Sequence, residues 1–231
     1  MFRNLLQGLS QRMPSQCAVC HSWPSQPVCE ACVGQFAQPQ HRCSTCALPL
    51  TGSATQCGAC LREPPLFDKC LAAVAYAYPW SDLVVAFKFH ESPAWAHSLG
   101  LLMRSAPWVE PALDTADVVL PLPLSKARLR WRGYNQAQLL AQALEPGKCQ
   151  TDVLLKIKDT PPQSSLPRSE RLASVHDAFA IDPLQIHLLR GKKVVLVDDV
   201  MTSGASLAEA ARVVRHAGAA HVTALVFART E

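Results

Sequence analysis

At 231 residues, of which 49% are hydrophobic and 17% charged, the chain is long enough for one sizeable core or two unequal domains and does not belong to the disordered class. The formal net charge of +4 falls to zero if eight of the ten cysteines bind two Zn²⁺ ions as thiolates, so net charge alone does not indicate a nucleic-acid partner. No apolar run approaches the roughly 18 residues of a membrane span, and the first residues lack the apolar core of a signal peptide. We therefore expect a cytoplasmic protein without a transmembrane segment.

Four C-x-x-C pairs occupy the first quarter of the chain. Each pair holds two sulfurs on one tight turn, and two pairs complete the tetrahedral S₄ ligand set of a structural zinc site. Disulfides are not expected in a reducing cytosol, so zinc is the predicted ligand. Pairing of neighbouring motifs is the simplest arrangement, although the spacing also allows a crossed pairing or a single occupied site. The predicted ligands are Cys17, Cys20, Cys29, Cys32, Cys43, Cys46, Cys57 and Cys60.

The cysteine-rich region contains few large apolar residues, so burial alone cannot hold it together. Metal binding must supply its folding free energy, on the order of ten kcal/mol per structural site. Two consecutive prolines, Pro64 and Pro65, stiffen the chain where this region ends. We therefore predict a zinc-ribbon module over residues 1–65 and a second domain over residues 66–231.

The second domain begins with a strand and two helices. The strand is predicted over 71–78, the helices over 81–89 and 95–104, and a buried strand over 117–124 then ends in a proline-rich turn. Lys88 lies on the first helix, where it either faces an anion site or extends from an apolar face into solvent.

The segment after the proline-rich turn is the most basic part of the chain. No acidic residue occurs between Val118 and Leu144, and Trp131 and Tyr134 are interleaved with the cations. A solvated helix face would mix positive and negative charges, so this excess of positive charge predicts an anionic ligand. Two ligands fit: a pyrophosphate group, or a nucleic-acid backbone whose bases stack on the aromatic rings. The candidate contacts are Lys126, Arg128, Arg130 and Arg132, together with Lys88.

Further elements follow the basic segment. A helix is predicted over 135–144 and strands over 151–157, 178–181 and 221–228. Between the first two strands, residues 158–174 form a long polar stretch with three prolines, which is too irregular for a helix or a strand.

The most informative stretch is Val194 to Ser206. Four large apolar residues predict a strand over 194–197 that is buried on both faces, and Asp198 and Asp199 follow it directly. The next residues are small and open a helix predicted over 205–217, whose free backbone N–H groups and dipole form a cradle for a phosphate. The two carboxylates are placed to accept hydrogen bonds from a sugar diol or to hold Mg²⁺.

This stretch resembles the phosphoribosyl-binding signature of type I phosphoribosyltransferases. The resemblance implies an α/β fold, a mostly parallel sheet flanked by helices, that binds phosphoribosyl pyrophosphate with Mg²⁺. It implies that Asp198 and Asp199 bind the ribose hydroxyls and that a loop binds the 5′-phosphate. It also implies a pyrophosphate loop over 121–125 and a mobile hood over the ligand. The implied phosphate-loop residues are Thr202, Ser203, Gly204, Ala205 and Ser206, and the hood residues are Gln163, Arg168 and Arg171.

One difference from the signature restricts which base can be the acceptor. Enzymes of this family that act on 6-oxopurines carry a catalytic aspartate where this chain has Thr202. The difference argues against hypoxanthine or guanine as the acceptor. No residue is assigned a catalytic role.

The span Arg130 to Gln136, which reads Arg-Trp-Arg-Gly-Tyr-Asn-Gln, narrows the family further. Together with the C-x-x-C array and the Asp-Asp motif, it resembles the ComF family of competence and DNA-utilisation proteins. The resemblance covers essentially the whole chain. It implies single-stranded DNA as a partner, a role in natural transformation or DNA utilisation, and contact with the DNA-uptake machinery at the inner face of the membrane. The expected location is then the cytoplasm, with peripheral attachment at the inner membrane.

Two functions remain open at this point. One is a protein that binds a phosphoribosyl ligand and handles single-stranded DNA. The other is an active phosphoribosyltransferase that transfers the group to a base or other acceptor. The fold serves both functions, so it does not decide between them. The zinc-ribbon module favours the first, since an enzyme that only makes a nucleotide has no evident need for it.

Overall fold

A computed structural model describes residues 15–89, 92–158 and 175–231. The chain divides into two compact units, Met1–Gln38 and Pro39–Glu231. The second pair of C-x-x-C motifs therefore belongs to the same compact unit as the residues that follow it. The predicted domain boundary after residue 65 stays a prediction.

The described helices and strands are interspersed along the chain. The helices are α1 (Glu30–Phe36), α2 (Gly58–Arg62), α3 (Trp80–Phe89), α4 (Trp95–Ser105), α5 (Val109–Thr115), α6 (Lys126–Arg132), α7 (Gln136–Leu144) and α8 (Ala205–His216). The strands are β1 (Lys69–Ala75), β2 (Val118–Pro121), β3 (Leu154–Lys156), β4 (Phe179–Ile181), β5 (Lys193–Met201) and β6 (His221–Arg229).

Four strands form the main sheet in the order β1-β6-β5-β2, and every neighbouring pair is parallel. Their apolar runs explain this arrangement, because strands covered on both faces must be apolar throughout. Eight of the nine residues of β6 are buried. Helices α4 and α7 pack together and contact the sheet, and α8 connects β5 to the parallel strand β6. The predicted parallel sheet with flanking helices is confirmed.

Strand β5 is longer than the sequence predicts. It continues through the acidic pair to Met201, which pairs with Arg229 at the end of β6. The prediction that Asp198 and Asp199 follow the strand was therefore wrong by a few residues. Pairing with β6 extends the ladder beyond the apolar run, which is a long-range effect that a local pattern does not contain.

The basic segment forms helix α6, which the sequence analysis left unassigned. The Ser125 hydroxyl caps its N-terminus by accepting a hydrogen bond from the Arg128 amide, and Gly133 ends it in the left-handed conformation at φ +78°. Lysine, arginine, alanine and leucine all favour helix, so local propensity and both caps agree.

A second, two-stranded sheet pairs β3 with β4 in antiparallel register. The predicted hood residues Gln163, Arg168 and Arg171 lie in the interval between these strands, outside the described residues. Within the described ranges, no helix has both the length and the apolar character needed to cross a membrane.

Candidate functional site

The structure brings the eight C-x-x-C cysteines together as two clusters of neighbouring motifs. The four sulfur atoms of each cluster lie within 4.8 Å of one another. Tetrahedral zinc with bonds of about 2.3 Å holds its sulfurs about 3.8 Å apart. The Sγ–Sγ distances of 3.9 Å for Cys17–Cys32 and 3.6 Å for Cys46–Cys57 match that spacing. Each cluster fits a structural zinc ion with no open coordination position.

In both clusters, backbone amides at a helix N-terminus donate hydrogen bonds to a cysteine sulfur. Cys29 and Cys57 are the N-cap residues of α1 and α2, and their amides donate to the sulfurs of Cys17 and Cys43 at 3.4 and 3.3 Å. Although burial opposes the change, N–H groups aimed at the sulfur lower the pKa of Cys17 and of Cys43 to about 6. Burial raises the pKa of Cys32 to about 12. Burial raises the pKa of Cys60 as well, so metal binding must displace the protons of Cys32 and Cys60.

The acidic pair lies at the carboxyl end of the central strand β5, with Lys88 from α3 beside it. The Lys88 ammonium is 2.9 Å from Asp199 Oδ1, and both side chains are largely buried. The Asp199 amide donates to Asp198 Oδ1 at 2.8 Å. The structure therefore places Lys88 against the acidic pair, and its role at an anion site stays a prediction.

The environment of Asp198 disfavours its charged form. Burial, reinforced by the charge of Asp199, raises the pKa of Asp198 to about 7, and the charges of Lys88 and Lys156 and the hydrogen bond from the Asp199 amide lower it only in part. A carboxyl group in this state is stabilised by any ligand that brings hydrogen-bond donors or positive charge. A sugar diol supplies the donors and a hydrated cation supplies the charge.

The loop after β5 has the shape of an anion cradle. Gly204 takes the left-handed conformation at φ +80° and is the N-cap of the twelve-residue helix α8. The Ser203 hydroxyl accepts from the Ala205 amide at 3.4 Å. The predicted phosphate loop, Thr202 to Ser206, thus lies at the positive end of a helix dipole, directly after the acidic pair.

The Arg-Trp-Arg-Gly-Tyr-Asn-Gln span fastens several elements together. Tyr134 Oη donates to the Phe87 carbonyl at 2.5 Å and Gln136 Nε2 donates to it at 3.5 Å. Asn135 caps α7 through its Oδ1, while its Nδ2 donates to the Leu122 carbonyl at 3.0 Å. The span therefore holds the end of α3, which carries Lys88, against the end of β2.

The basic helix α6 presents part of its charge outward. Lys126 and Arg130 are exposed, whereas Arg132 donates to Gln136 Oε1 at 3.0 Å and stacks over the Phe89 ring at 5.1 Å. Trp131 is 71% exposed, and its ring centroid lies 5.9 Å from that of Phe89. We call Lys126, Arg130, Trp131 and Phe89 the basic aromatic surface.

Sequence reasoning missed two members of these sites. Phe89, 49% exposed, takes the place expected for Tyr134, whose hydroxyl is committed to the backbone. Its position next to Lys88, at the end of the same helix, was the available signal. Lys156 on β3, whose charge acts on Asp198, lies in a short strand without any motif, so no signal marked it.

Known proteins resemble this chain along most of its length. The phosphoribosyl transferase domain family matches residues 130–231. "DNA utilization protein YhgH" of Escherichia coli strain K12 is 31% identical over 215 residues, which is 88% of this chain and 90% of that protein. "Competence protein F" of Haemophilus influenzae is 30% identical over 212 residues, 87% of this chain and 90% of that protein. "Competence protein ComFC" of Bacillus subtilis is 27% identical over 215 residues, 90% of this chain and 86% of that protein.

The similarity to these relatives is not confined to the phosphoribosyl transferase domain. An alignment that spans 87–90% of this chain must include most of the residues before position 130, where the domain match begins. Two of these relatives are at least 30% identical and are matched over nine-tenths of their own length. The chain therefore belongs to the ComF family of competence and DNA-utilisation proteins.

Proposed function

We propose that this protein binds phosphoribosyl pyrophosphate, or a related phosphoribosyl ligand, and takes part in handling single-stranded DNA during DNA uptake or utilisation. The observation that carries the proposal is the juxtaposition of two carboxylates, Asp199 buried and Asp198 half-buried, with a helix N-terminus at the end of a central parallel strand. Parallel α/β sheets bind ligands at this edge. The phosphoribosyl transferase match and the names of the relatives support the two halves of the proposal.

Each part of the ligand has a group of matching chemistry. Asp198 and Asp199 accept hydrogen bonds from the ribose hydroxyls, and the N–H groups of Thr202 to Ser206 bind the 5′-phosphate. Lys88 forms an ion pair with Asp199. When the ribose hydroxyls bind Asp199, the Lys88 ammonium exchanges this partner for a pyrophosphate oxygen. Mg²⁺, when bound with the ligand, neutralises the pyrophosphate oxygens.

Zinc is the metal proposed for the two cysteine clusters. Four thiolates with the observed spacing suit zinc and leave no coordination position for substrate. The role is therefore structural. We place the protein in the cytoplasm, where it would meet incoming DNA at the inner face of the membrane.

A panel of ligand measurements tests the first half of the proposal. We expect titration calorimetry to show binding of phosphoribosyl pyrophosphate in the presence of Mg²⁺, with the ligand recovered intact. Pyrophosphate release should stay at background across a panel of bases. Robust release with any base would support the alternative function, a phosphoribosyltransferase whose acceptor is not a 6-oxopurine. Absence of binding at millimolar ligand would overturn both functions.

The basic aromatic surface is the proposed contact for single-stranded DNA. It combines solvated cations with two exposed rings, which is the composition that binds a phosphate backbone and stacks its bases. Arg132 stacks over the Phe89 ring and is hydrogen-bonded to Gln136, so Phe89 is held in place before DNA binds. Rigid rings lose little conformational entropy on binding.

Replacing Trp131 by alanine should weaken binding of a single-stranded oligonucleotide. Removing one ring on which a base stacks costs about 1–3 kcal/mol, or roughly 5- to 150-fold in affinity. The matched control is Trp108→Ala, which removes a tryptophan that is 72% exposed before the acidic helix α5 and should leave affinity unchanged. Fluorescence anisotropy at two salt concentrations measures both variants.

Replacing Lys126 and Arg130 by glutamine should reduce the salt dependence of the same interaction. For each phosphate that the variant no longer neutralises, the slope of log K against log salt falls by about 0.7. This pair is a better test than Arg132→Ala, because Arg132 also supports Phe89 and Gln136. If both the Trp131 and the double variant bind like the wild type, DNA contacts another surface.

A further inference from the structure

Arg229 is a buried cation that joins the second cysteine cluster to the start of the phosphate loop. It is the last residue of β6 and is only 7% exposed. Its Nε donates to the Cys46 carbonyl at 3.1 Å. Its Nη1 donates to the carbonyls of Met201 and Thr202 at 3.1 and 2.6 Å. One guanidinium thus bonds the cysteine turn on one side and the loop backbone on the other.

The charge of Arg229 requires an anionic neighbour. No carboxylate forms an ion pair with it among residues 15–89, 92–158 and 175–231. A buried guanidinium without counter-charge is costly even when carbonyls satisfy its hydrogens. Four thiolates around a divalent ion carry a net charge of about −2, and this cluster lies directly behind the Cys46 carbonyl. A metal-loaded cluster would supply the counter-charge that these carboxylates do not.

A second arginine, Arg42, also bonds the cysteine turn but does not contact the phosphate loop. Arg42 donates to the Ala47 carbonyl at 3.1 Å, within the same cysteine turn. In contrast, residues 15–38, which contain the first cluster, include no lysine or arginine. The two clusters therefore differ in their surroundings although their sulfur geometry is alike.

We propose that Arg229 is a positioning residue that couples metal binding at Cys43, Cys46, Cys57 and Cys60 to the conformation of the 5′-phosphate loop. The inference deepens the proposed function and rests on it for the identity of the ligand. Metal at the second cluster fixes the Cys46 carbonyl and supplies the counter-charge for Arg229. Arg229 then holds the carbonyls of Met201 and Thr202, which point the following N–H groups toward the phosphate.

Loss of the metal reverses this order. The cysteine turn loses its fixed geometry and its negative charge, so Arg229 loses both an acceptor and its charge partner. The loop then adopts more conformations. Ordering it costs free energy, which weakens ligand binding. The second cluster consequently forms part of the ligand site although it holds no ligand atom.

The test compares Arg229→Gln with Arg42→Gln by hydrogen exchange and by ligand titration. We expect Arg229→Gln to raise the exchange rate of amides 202–206 about tenfold and to weaken phosphoribosyl pyrophosphate binding about tenfold, which is about 1.4 kcal/mol. Arg42→Gln alters the same cysteine turn without touching the loop and should match the wild type in both measurements. Arg229→Lys keeps the charge and should fall between them.

Metal removal from the wild type provides a second test that requires no substitution at Arg229. Stepwise chelation should leave loop exchange unchanged while the first cluster empties, and raise it when the second empties. The variant Cys20→Ser/Cys29→Ser identifies the signal of the first cluster. If amides 202–206 exchange at the wild-type rate in Arg229→Gln and after full zinc loss, the coupling is refuted. If they respond but no ligand binds to the wild type, the coupling stands and the proposed function fails.

Discussion

Replacing Gly204 by alanine is expected to weaken binding of phosphoribosyl pyrophosphate by about tenfold or more and to lower the free energy of unfolding by about 1–3 kcal/mol. Gly204 takes φ +80°, which residues with a Cβ rarely adopt. A Cβ at this position would lie 2.5 Å from Met201 Cε. Met201 is 3% exposed and its sulfur lies 3.5 Å from Cys70 Sγ, so the methyl group has little space into which to move. The loop itself must shift, and its N–H groups then no longer converge on a phosphate.

The matched control for this variant is Gly191→Ala. Gly191 has a similar φ of +71°, but a Cβ there would meet no atom within 4 Å, and the residue precedes the opposite end of β5. It isolates the conformational cost, which should be about 1 kcal/mol, and should leave ligand affinity unchanged. Calorimetric titration and chemical denaturation measure both quantities. Equal ligand affinity in Gly204→Ala and the wild type would show that the loop does not bind the phosphate.

Replacing Asp198 by asparagine should stabilise the protein at pH 8 and abolish ligand binding. Burial and the charge of Asp199 raise the pKa of Asp198 to about 7, above its value of 3.8 in the unfolded chain. A raised pKa means that the folded state holds the proton more tightly, so wild-type stability falls as pH rises from about 4 to about 7. Asparagine carries no charge at any of these pH values. The difference should be near zero at pH 4 and reach about 2–4 kcal/mol in favour of the variant at pH 8.

Denaturation of both proteins at a series of pH values measures this difference directly, because other titrating groups cancel. Asp152→Asn, at an exposed carboxylate, should show no such trend. The asparagine amide replaces an acceptor oxygen by a donor, so affinity for the ribose hydroxyls should drop although stability rises. Higher stability together with weaker ligand binding is typical of a residue retained for binding at the expense of stability. A variant that is destabilised at every pH would show that Asp198 supports the fold instead.

Local patterns predicted the parts of this protein that depend on local chemistry. Strand β6 and helix α8 follow from unbroken apolar periodicity, and the cysteine clusters follow from the fixed reach of a C-x-x-C turn. Lys88 shows where such reasoning ends. Its spacing allowed two orientations, and its ion pair with Asp199 depends on the approach of α3 to β5, which no local pattern contains.

The residues that escaped prediction act over long sequence distances. Arg229 contacts a carbonyl 183 residues earlier in the chain, and Tyr134 donates to one 47 residues earlier. Neither contact leaves a periodic signal, because the partner is a backbone atom that every residue type provides. Tyr134 was expected to stack on bases because it lies among cationic residues. The sequence does not indicate that its hydroxyl bonds the Phe87 carbonyl.

The bond between Arg229 and Cys46 also bears on how this protein can be dissected. A fragment begun at the proline pair, residues 64 and 65, would retain every residue of the phosphoribosyl signature and still contain a buried arginine deprived of its acceptor and its counter-ion. A fragment begun at Pro39 keeps them. We therefore expect that a fragment designed to fold by itself must contain the second cysteine cluster together with the phosphoribosyl transferase domain.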